Sequence, residues 1–106
     1  MKKNNIMELS KYSNYEIAQA KTNLYFGKPT KLHISNRKDK KYYVIDDQNK
    51  KHYFGQMGYE DYTKHQDDDR RYKYLARATK IKGDWKRDKY SPNNLSINLL
   101  WNNSNN

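Results

Sequence analysis

The fold of this chain is decided by residues 53–85, which read YFGQMGYEDYTKHQDDDRRYKYLARATKIKGDW. The stretch begins as the end of a strand, turns at Gly55 and Gly58, and continues as a charged helix that we place over residues 67–82. Aspartates fill its first turn and basic residues its last, the order of charge that the helix dipole favours. Gly83 follows as a natural C-terminal stop.

The inner side of this central helix is aromatic or small. Two overlapping sets of positions keep helical spacing: Tyr72, Leu75, Ala76 and Thr79, and Tyr74, Leu75, Ala78 and Ile81. Leu75 belongs to both sets. We therefore expect Leu75 to lie at the centre of the core.

A second helix is predicted near the N-terminus. Ser13-Asn14-Tyr15-Glu16 has the form of a capping box with Ser13 as the N-cap. Apolar and small residues then keep helical spacing to about residue 25, and Gly27 ends the run. A solvated segment that binds a partner is the alternative for this stretch.

From Thr30 the hydrophobic period changes from helical spacing to two. Residues 32–34 alternate apolar and polar side chains, residues 41–46 (KYYVID) are aromatic and β-branched, and residues 51–54 (KHYF) return after a polar turn. These patterns predict a three-stranded antiparallel meander over residues 30–55.

The C-terminal segment is ambiguous. Alternate residues from Leu95 to Trp101 are apolar, as in a strand, whereas the spacing of Leu95 and Leu99 suits a helix. Ser91-Pro92 has the form of an N-cap followed by proline at the first helical position, which favours the helix.

The predicted fold class is therefore α+β: a three-stranded antiparallel meander packed with a central charged helix and short N- and C-terminal helices. We expect one small domain over residues 13–101, with polar tails over residues 1–12 and 102–106.

Composition limits both the core and the partners. Only sixteen residues are Leu, Ile, Val or Phe, although eleven tyrosines and two tryptophans add apolar area. A core this small predicts a domain stabilised by a partner. The formal net charge is +10, which points to polyanions or acidic neighbours. AT-rich coding sequence is the alternative source of that charge, because lysines number 17 against 5 arginines.

The chain lacks cysteine, an apolar run after its basic start, and an apolar stretch of membrane-spanning length. These features predict a soluble protein that is made in a reducing compartment, is not secreted and does not insert into membranes.

The sequence offers little for catalysis. No histidine has a partner at metal-ligand spacing, and the aspartates at 67–69 are explained by helix capping. The arrangement Asp46-Asp47-x-x-Lys50 resembles a nuclease motif only faintly, and a hairpin turn accounts for it. We therefore predict no enzyme activity, no metal, no cofactor and no small-molecule substrate.

Basic and aromatic side chains remain as candidates for binding. Lysines around the predicted hairpins, with tyrosines between them, could meet phosphates while the rings stack on bases. The candidate nucleic-acid-binding residues are Lys38, Lys40, Lys41, Lys50, Lys51 and Arg77. The alternative places at least half of these tyrosines in the core and pairs the first helix arginines with the aspartates before them.

Residues 54–101 also carry a family resemblance. The pattern FG-x-x-GY-x-DYT-x-H, a charged helix, a tryptophan and SPNNLSINLLW resembles a family of small uncharacterised proteins of large double-stranded DNA viruses and related phages. The resemblance covers about residues 30 to 101. It rests on Phe54, Gly55, Gly58, Tyr59, Asp61, Tyr62, Thr63, His65, Asp67, Arg71, Tyr74, Leu75, Arg77, Trp85, Leu99, Leu100 and Trp101. The chain departs at residues 78–80, where many members have a basic run.

The resemblance implies a viral setting. The expected function is that of a minor capsid or other virion component, made in the host cytoplasm or virus factory, that docks on other virion proteins. Aromatic and apolar side chains are the usual anchors of such contacts. The candidate interface residues are Tyr59, Tyr62, Trp85, Leu100 and Trp101. Sequence-nonspecific binding to the DNA or RNA of the genome is the alternative function.

Overall fold

An antiparallel sheet of three strands lies at the centre of the molecule. The computed structural model describes residues 6–102. Strands β1 (His33–Ile34), β2 (Lys40–Ile45) and β3 (Lys51–Gln56) pair in sequence order, with Tyr42 opposite Phe54 and His33 opposite Tyr43. This order confirms the predicted meander. Its middle strand, β2, is the β-branched and aromatic run, which suits a strand that is paired on both sides.

Helices precede and follow the three strands, so the α+β fold class is confirmed. Their bounds are α1 (Ile6–Leu9), α2 (Tyr15–Phe26), α3 (Tyr62–His65), α4 (Asp68–Ala78) and α5 (Pro92–Leu95). A 3-10 turn covers Trp85–Arg87, and α5 continues as a π-helical segment, Ser96–Trp101. The C-terminal segment is therefore helical, as Ser91-Pro92 indicates. The Ser91 hydroxyl accepts from the Asn94 backbone N–H.

The core lies between one face of the sheet and the α2 and C-terminal helices. Tyr42, Val44 and Phe54 point inward from the sheet and are fully buried. They join apolar side chains of the helices and of the loop before β1, namely Leu9, Ala18, Phe26, Leu32, Leu95, Leu99 and Leu100. The aromatic residues supply much of the buried area, in keeping with the composition.

The N-terminal segment differs from the expected polar tail over residues 1–12. Residues 6–9 form α1, and Leu9 is fully buried in the core. Residues 1–5 lie outside the described part, as do residues 103–106 of the expected C-terminal tail. The apolar residue at position 9 accounts for the difference, because it gives this segment a side chain to bury.

The cap of α2 also differs from the prediction. Asn14, not Ser13, is the N-cap, and its side chain accepts from the Ile17 N–H at 3.1 Å. Ser13 is buried, where it accepts from the Tyr42 hydroxyl at 2.7 Å and contacts the Thr63 hydroxyl. The helix ends as predicted at Gly27, which takes a left-handed conformation with φ of 70°.

The central helix is shorter than predicted and lies further from the core. Asp67 is its N-cap as expected, but the helix ends at Ala78. The hydroxyl of Thr79 donates to the Leu75 carbonyl at 2.7 Å in its last turn. Ala78 is the buried residue of this helix and Leu75 is only half-buried, so the prediction that Leu75 centres the core is wrong.

Candidate functional site

A groove opens where α4, the end of the sheet and the C-terminal helical segment meet. Its volume is about 710 Å³. Arg70, Lys73, Tyr74 and Arg77 line it from α4, while Lys40 and Gln56 line it from the strand ends. The C-terminal wall is formed by Pro92, Asn93, Ser96, Leu100 and Trp101, and Tyr59 and Glu60 stand at the connecting loop. The groove is therefore built from parts of the chain that are distant in sequence.

A buried ion pair forms part of the groove floor. Lys41 is 2% exposed, and its Nζ lies 3.0 Å from Oδ2 of Asp61, which is 1% exposed. The same ammonium donates to the Tyr59 carbonyl at 2.6 Å and to the Tyr12 carbonyl at 3.3 Å. Burial lowers the pKa of Lys41, and the charge of Asp61 opposes that shift. Every hydrogen of this ammonium thus has an acceptor inside the protein.

Lys41 must therefore be withdrawn from the candidate nucleic-acid-binding residues. Strand alternation places it on the face away from the core, where a lysine would normally meet solvent. Gly55 lies beside it in β3 with φ of +84°, and a Cβ there would stand 3.0 Å from Leu100 Cδ1 and 3.1 Å from Lys41 Cβ. The missing side chain lets the π-helical segment close over the lysine stem.

Leu100 and Tyr62, two of the candidate interface residues, are also buried, so neither presents its whole side chain to solvent. Leu100 is 1% exposed and belongs to the core. Tyr62 is 6% exposed, and its hydroxyl donates to Oδ1 of Asp68 at 2.6 Å. Leu100 still contributes to the groove floor, whereas Tyr62 ties α3 to the start of α4.

Trp101 forms one wall of the groove. Its ring stacks on Tyr74 with a centroid distance of 4.1 Å and an interplanar angle of 6°, and the His65 ring lies 5.2 Å away. Its carbonyl accepts from Arg71 Nε at 2.8 Å, and the next carbonyl, of Asn102, accepts from Lys21. Two cations thus satisfy backbone carbonyls at the C-terminal end of the helical segment. These contacts fix the backbone that carries the indole ring.

Tyr59 is the most accessible of the predicted anchors. Its side chain is 70% exposed, although Lys41 fixes its backbone carbonyl. Trp85 lies outside the groove lining, half-buried, and its indole N–H donates to the Ile81 carbonyl at 2.6 Å. Tyr59, Leu100 and Trp101 are therefore the predicted interface residues that line the groove, and Leu100 is the buried one of the three.

Cations outnumber carboxylates in the groove lining. Lys40, Lys41, Arg70, Lys73 and Arg77 face two acids. Asp61 is held by Lys41, and Glu60 lies 3.5 Å from Arg70 Nη1. Lys73 contacts Asp69 at 3.1 Å across one turn of α4, where both side chains are more than half exposed. The groove lining consequently carries more positive than negative formal charge.

The remaining candidate lysines lie elsewhere. Lys38, Lys50 and Lys51 are exposed on and beside the hairpin turns, outside the groove lining. Lys40 and Arg77 are the two that the fold brings to the groove. The nucleic-acid candidates are thus divided between two surfaces, and one of them, Lys41, is buried.

An aromatic row crosses the outer face of the sheet, and it was not predicted as a unit from the sequence. His33 stacks on Tyr43 at 4.7 Å, and Tyr43 lies 5.0 Å from Tyr53. The Arg37 guanidinium covers the Tyr53 ring at 4.0 Å, and Lys51 lies 5.1 Å from the Tyr43 ring. Because the rings contact one another and two cations, part of each ring surface is already covered. The alternation of period two places each of these rings on the outer face, and the strand register then brings them side by side.

His65 lies against the wall formed by Trp101, in surroundings that favour its neutral form. Its Nδ1 accepts from the Asp67 backbone N–H at 2.9 Å, while Nε2 is buried without a hydrogen-bond partner among residues 6–102. Burial, followed by the charge of Arg70, lowers the pKa of His65, against smaller opposing effects of Glu60, Asp61 and Asp67.

This histidine predicts a loss of stability in mild acid. Because its folded-state pKa lies below the unfolded value of about 6.5, its contribution is complete above that pH and is lost as pH falls through and below it. We expect the His65→Gln variant to lose less stability than the parent between about pH 7.5 and 5.5. Urea unfolding at several pH values measures this difference. Equal pH dependence in parent and variant would show that His65 does not titrate on unfolding.

Between residues 6 and 102, no group of three or more histidine, aspartate or glutamate side chains is arranged to hold a metal ion. In the same part of the chain, no helix combines the length and apolar character that crossing a bilayer requires.

Comparison with known proteins gives one family similarity. Residues 30–78 are similar to a family of unknown function, DUF5754. The similar region contains the sheet, α3 and α4, and with them Lys40, Tyr59 and Arg77 of the groove. No curated protein and no solved structure matches the chain.

Proposed function

We propose that this protein is a non-enzymatic virion component, such as a minor capsid protein, that docks on a neighbouring virion protein through the groove. One observation carries the proposal. Tyr59, Trp101 and the buried Leu100, predicted as anchors from separate parts of the sequence, converge on one preformed cavity. Interfaces are typically anchored by aromatic side chains and arginine at such pockets.

Preorganisation of the groove supports docking. The Lys41 ammonium fixes the backbone that carries Tyr59, and the stack on Tyr74 fixes Trp101. Side chains that are already ordered lose little freedom when a partner binds. The groove can therefore use its apolar area for affinity.

The virion setting comes from the resemblance to proteins of large double-stranded DNA viruses and related phages. Under this proposal the protein is made in the host cytoplasm or virus factory and enters particles by contact with capsid or other virion proteins. Genome binding is the second candidate function. It is favoured by the exposed lysines 38, 50 and 51, which surround the hairpins outside the groove.

Particle incorporation tests the proposal. We expect the protein in particles purified from infected cells, and we expect Tyr59→Ala to reduce its incorporation about 30-fold, the effect of losing an anchor worth about 2 kcal/mol. Tyr72→Ala is the matched control, because Tyr72 is 73% exposed on α4 and outside the groove lining. Quantitative mass spectrometry of purified particles gives the measurement.

Two results would contradict the proposal. Absence of the parent protein from purified particles would exclude a virion component. Equal incorporation of Tyr59→Ala and Tyr72→Ala would show that the groove is not the docking surface. Circular dichroism of both variants establishes that they fold before incorporation is compared.

A further inference from the structure

The α4 wall of the groove presents cations at helical spacing. Arg70, Lys73 and Arg77 lie on one face of the helix, and Lys40 stands on the sheet side. Arg77 makes no ion pair within residues 6–102. Its planar guanidinium suits bidentate contact with a carboxylate. The charge of the groove thus complements an anionic partner.

The groove also has an apolar part. The floor and walls include Leu100 and the stacked rings of Tyr74 and Trp101, with Ile81, which is 54% exposed, at one end. A ligand that fills this space needs an apolar side chain as well as negative charge. The volume of about 710 Å³ is within the range of pockets that enclose small ligands or a few side chains.

Ring geometry favours a protein segment over a nucleic acid. Single-stranded nucleic acids are held by bases that stack on open aromatic faces. In this groove Tyr74 and Trp101 are only 4.1 Å apart, so each ring covers one face of the other and the stacking surface that remains for a base is reduced. An aliphatic or aromatic side chain of a protein can pack on ring edges and on Leu100 without such a face.

We infer that the groove binds an acidic protein segment that places one aromatic or long aliphatic side chain on the floor and its carboxylates near Arg77 and Lys73. The inference rests on the proposed docking role and specifies its partner. The acidic residues give orientation and association rate, and the apolar side chain gives most of the buried area.

Selection from a library of random peptides on the immobilised full chain tests the inference. We expect selected sequences to be rich in aspartate and glutamate around one aromatic or aliphatic residue. Titration calorimetry with the strongest selected peptide should show about tenfold or greater weakening for Arg77→Glu, because a contacted charge is lost and a repulsive one is introduced. The control, Lys28→Glu, makes the same change of charge outside the groove lining and should leave the affinity within about twofold.

Three outcomes would overturn the inference. They are a selection without enrichment of acidic residues, equal affinity of Arg77→Glu and Lys28→Glu, and displacement of the peptide by a single-stranded thymidine oligonucleotide that binds more tightly. The third outcome would assign the groove to nucleic acid. Particle incorporation of Tyr59→Ala is measured separately. Failure of the peptide experiment would therefore reject the acidic partner without rejecting docking through the groove.

Discussion

Asp61→Asn is expected to lower the free energy of unfolding by about 3–5 kcal/mol, the usual effect of removing one partner of a buried ion pair. The substitution keeps the shape of the side chain but leaves the Lys41 ammonium at 2% exposure without its counter-charge. A small domain is stable by only about 5–15 kcal/mol, so much of the net stability would be lost. Urea unfolding followed by circular dichroism measures the change.

Two further variants make this expectation specific. Asp69→Asn removes a carboxylate from an exposed ion pair with Lys73 and should have little effect. Adding Lys41→Met to Asp61→Asn should recover part of the lost stability, because the unpaired buried charge is then gone. An Asp61→Asn protein as stable as the parent would mean that Lys41 reaches solvent or is neutral in the folded state.

Leu99→Ala is expected to destabilise the protein by about 2–5 kcal/mol, because it leaves a cavity in the core. Leu99 is fully buried and packs in the cluster that joins the sheet to the C-terminal helical segment. The matched control is Leu24→Ala, whose leucine is 57% exposed on α2 and should change stability by less than about 0.5 kcal/mol. Thermal and urea unfolding would both report the difference.

The loss of stability caused by Leu75→Ala should lie between those caused by Leu24→Ala and Leu99→Ala. Leu75 is half-buried and outside the core cluster, although helical periodicity placed it at the centre. An effect of Leu75→Ala larger than that of Leu99→Ala would show that α4 packs more closely than the structure indicates.

Local patterns predicted most of the secondary structure. The change of period at Thr30, the Asp67 cap and the Ser91-Pro92 start each depend on residues within a few positions of one another, and each was confirmed. The short helix α3 was not predicted. Its signal is Asp61, whose side chain accepts from the Thr63 N–H as an N-cap.

The site was less predictable because its contacts are distant in sequence. Alternation along β2 assigns Lys41 to solvent. No neighbouring residue indicates that its partner is Asp61, twenty residues later in the chain. Burial of the lysine depends on Gly55 beside it and on Leu100 above it. Likewise, Trp101 could be recognised as an anchor by its type, but its stacking on Tyr74 required the path of the whole chain.

The three acceptors of the Lys41 ammonium have a consequence for the order in which the molecule opens. Tyr12 lies in the segment before α2, whereas Tyr59 and Asp61 lie in the loop between β3 and α3, which forms the groove mouth. The Asp61 N–H donates in turn to the Tyr12 carbonyl. If either segment unfolded alone, the buried Lys41 ammonium would lose hydrogen-bond acceptors, which costs free energy. The N-terminal segment and the groove mouth therefore form one cooperative unit, whose amides should exchange with solvent together.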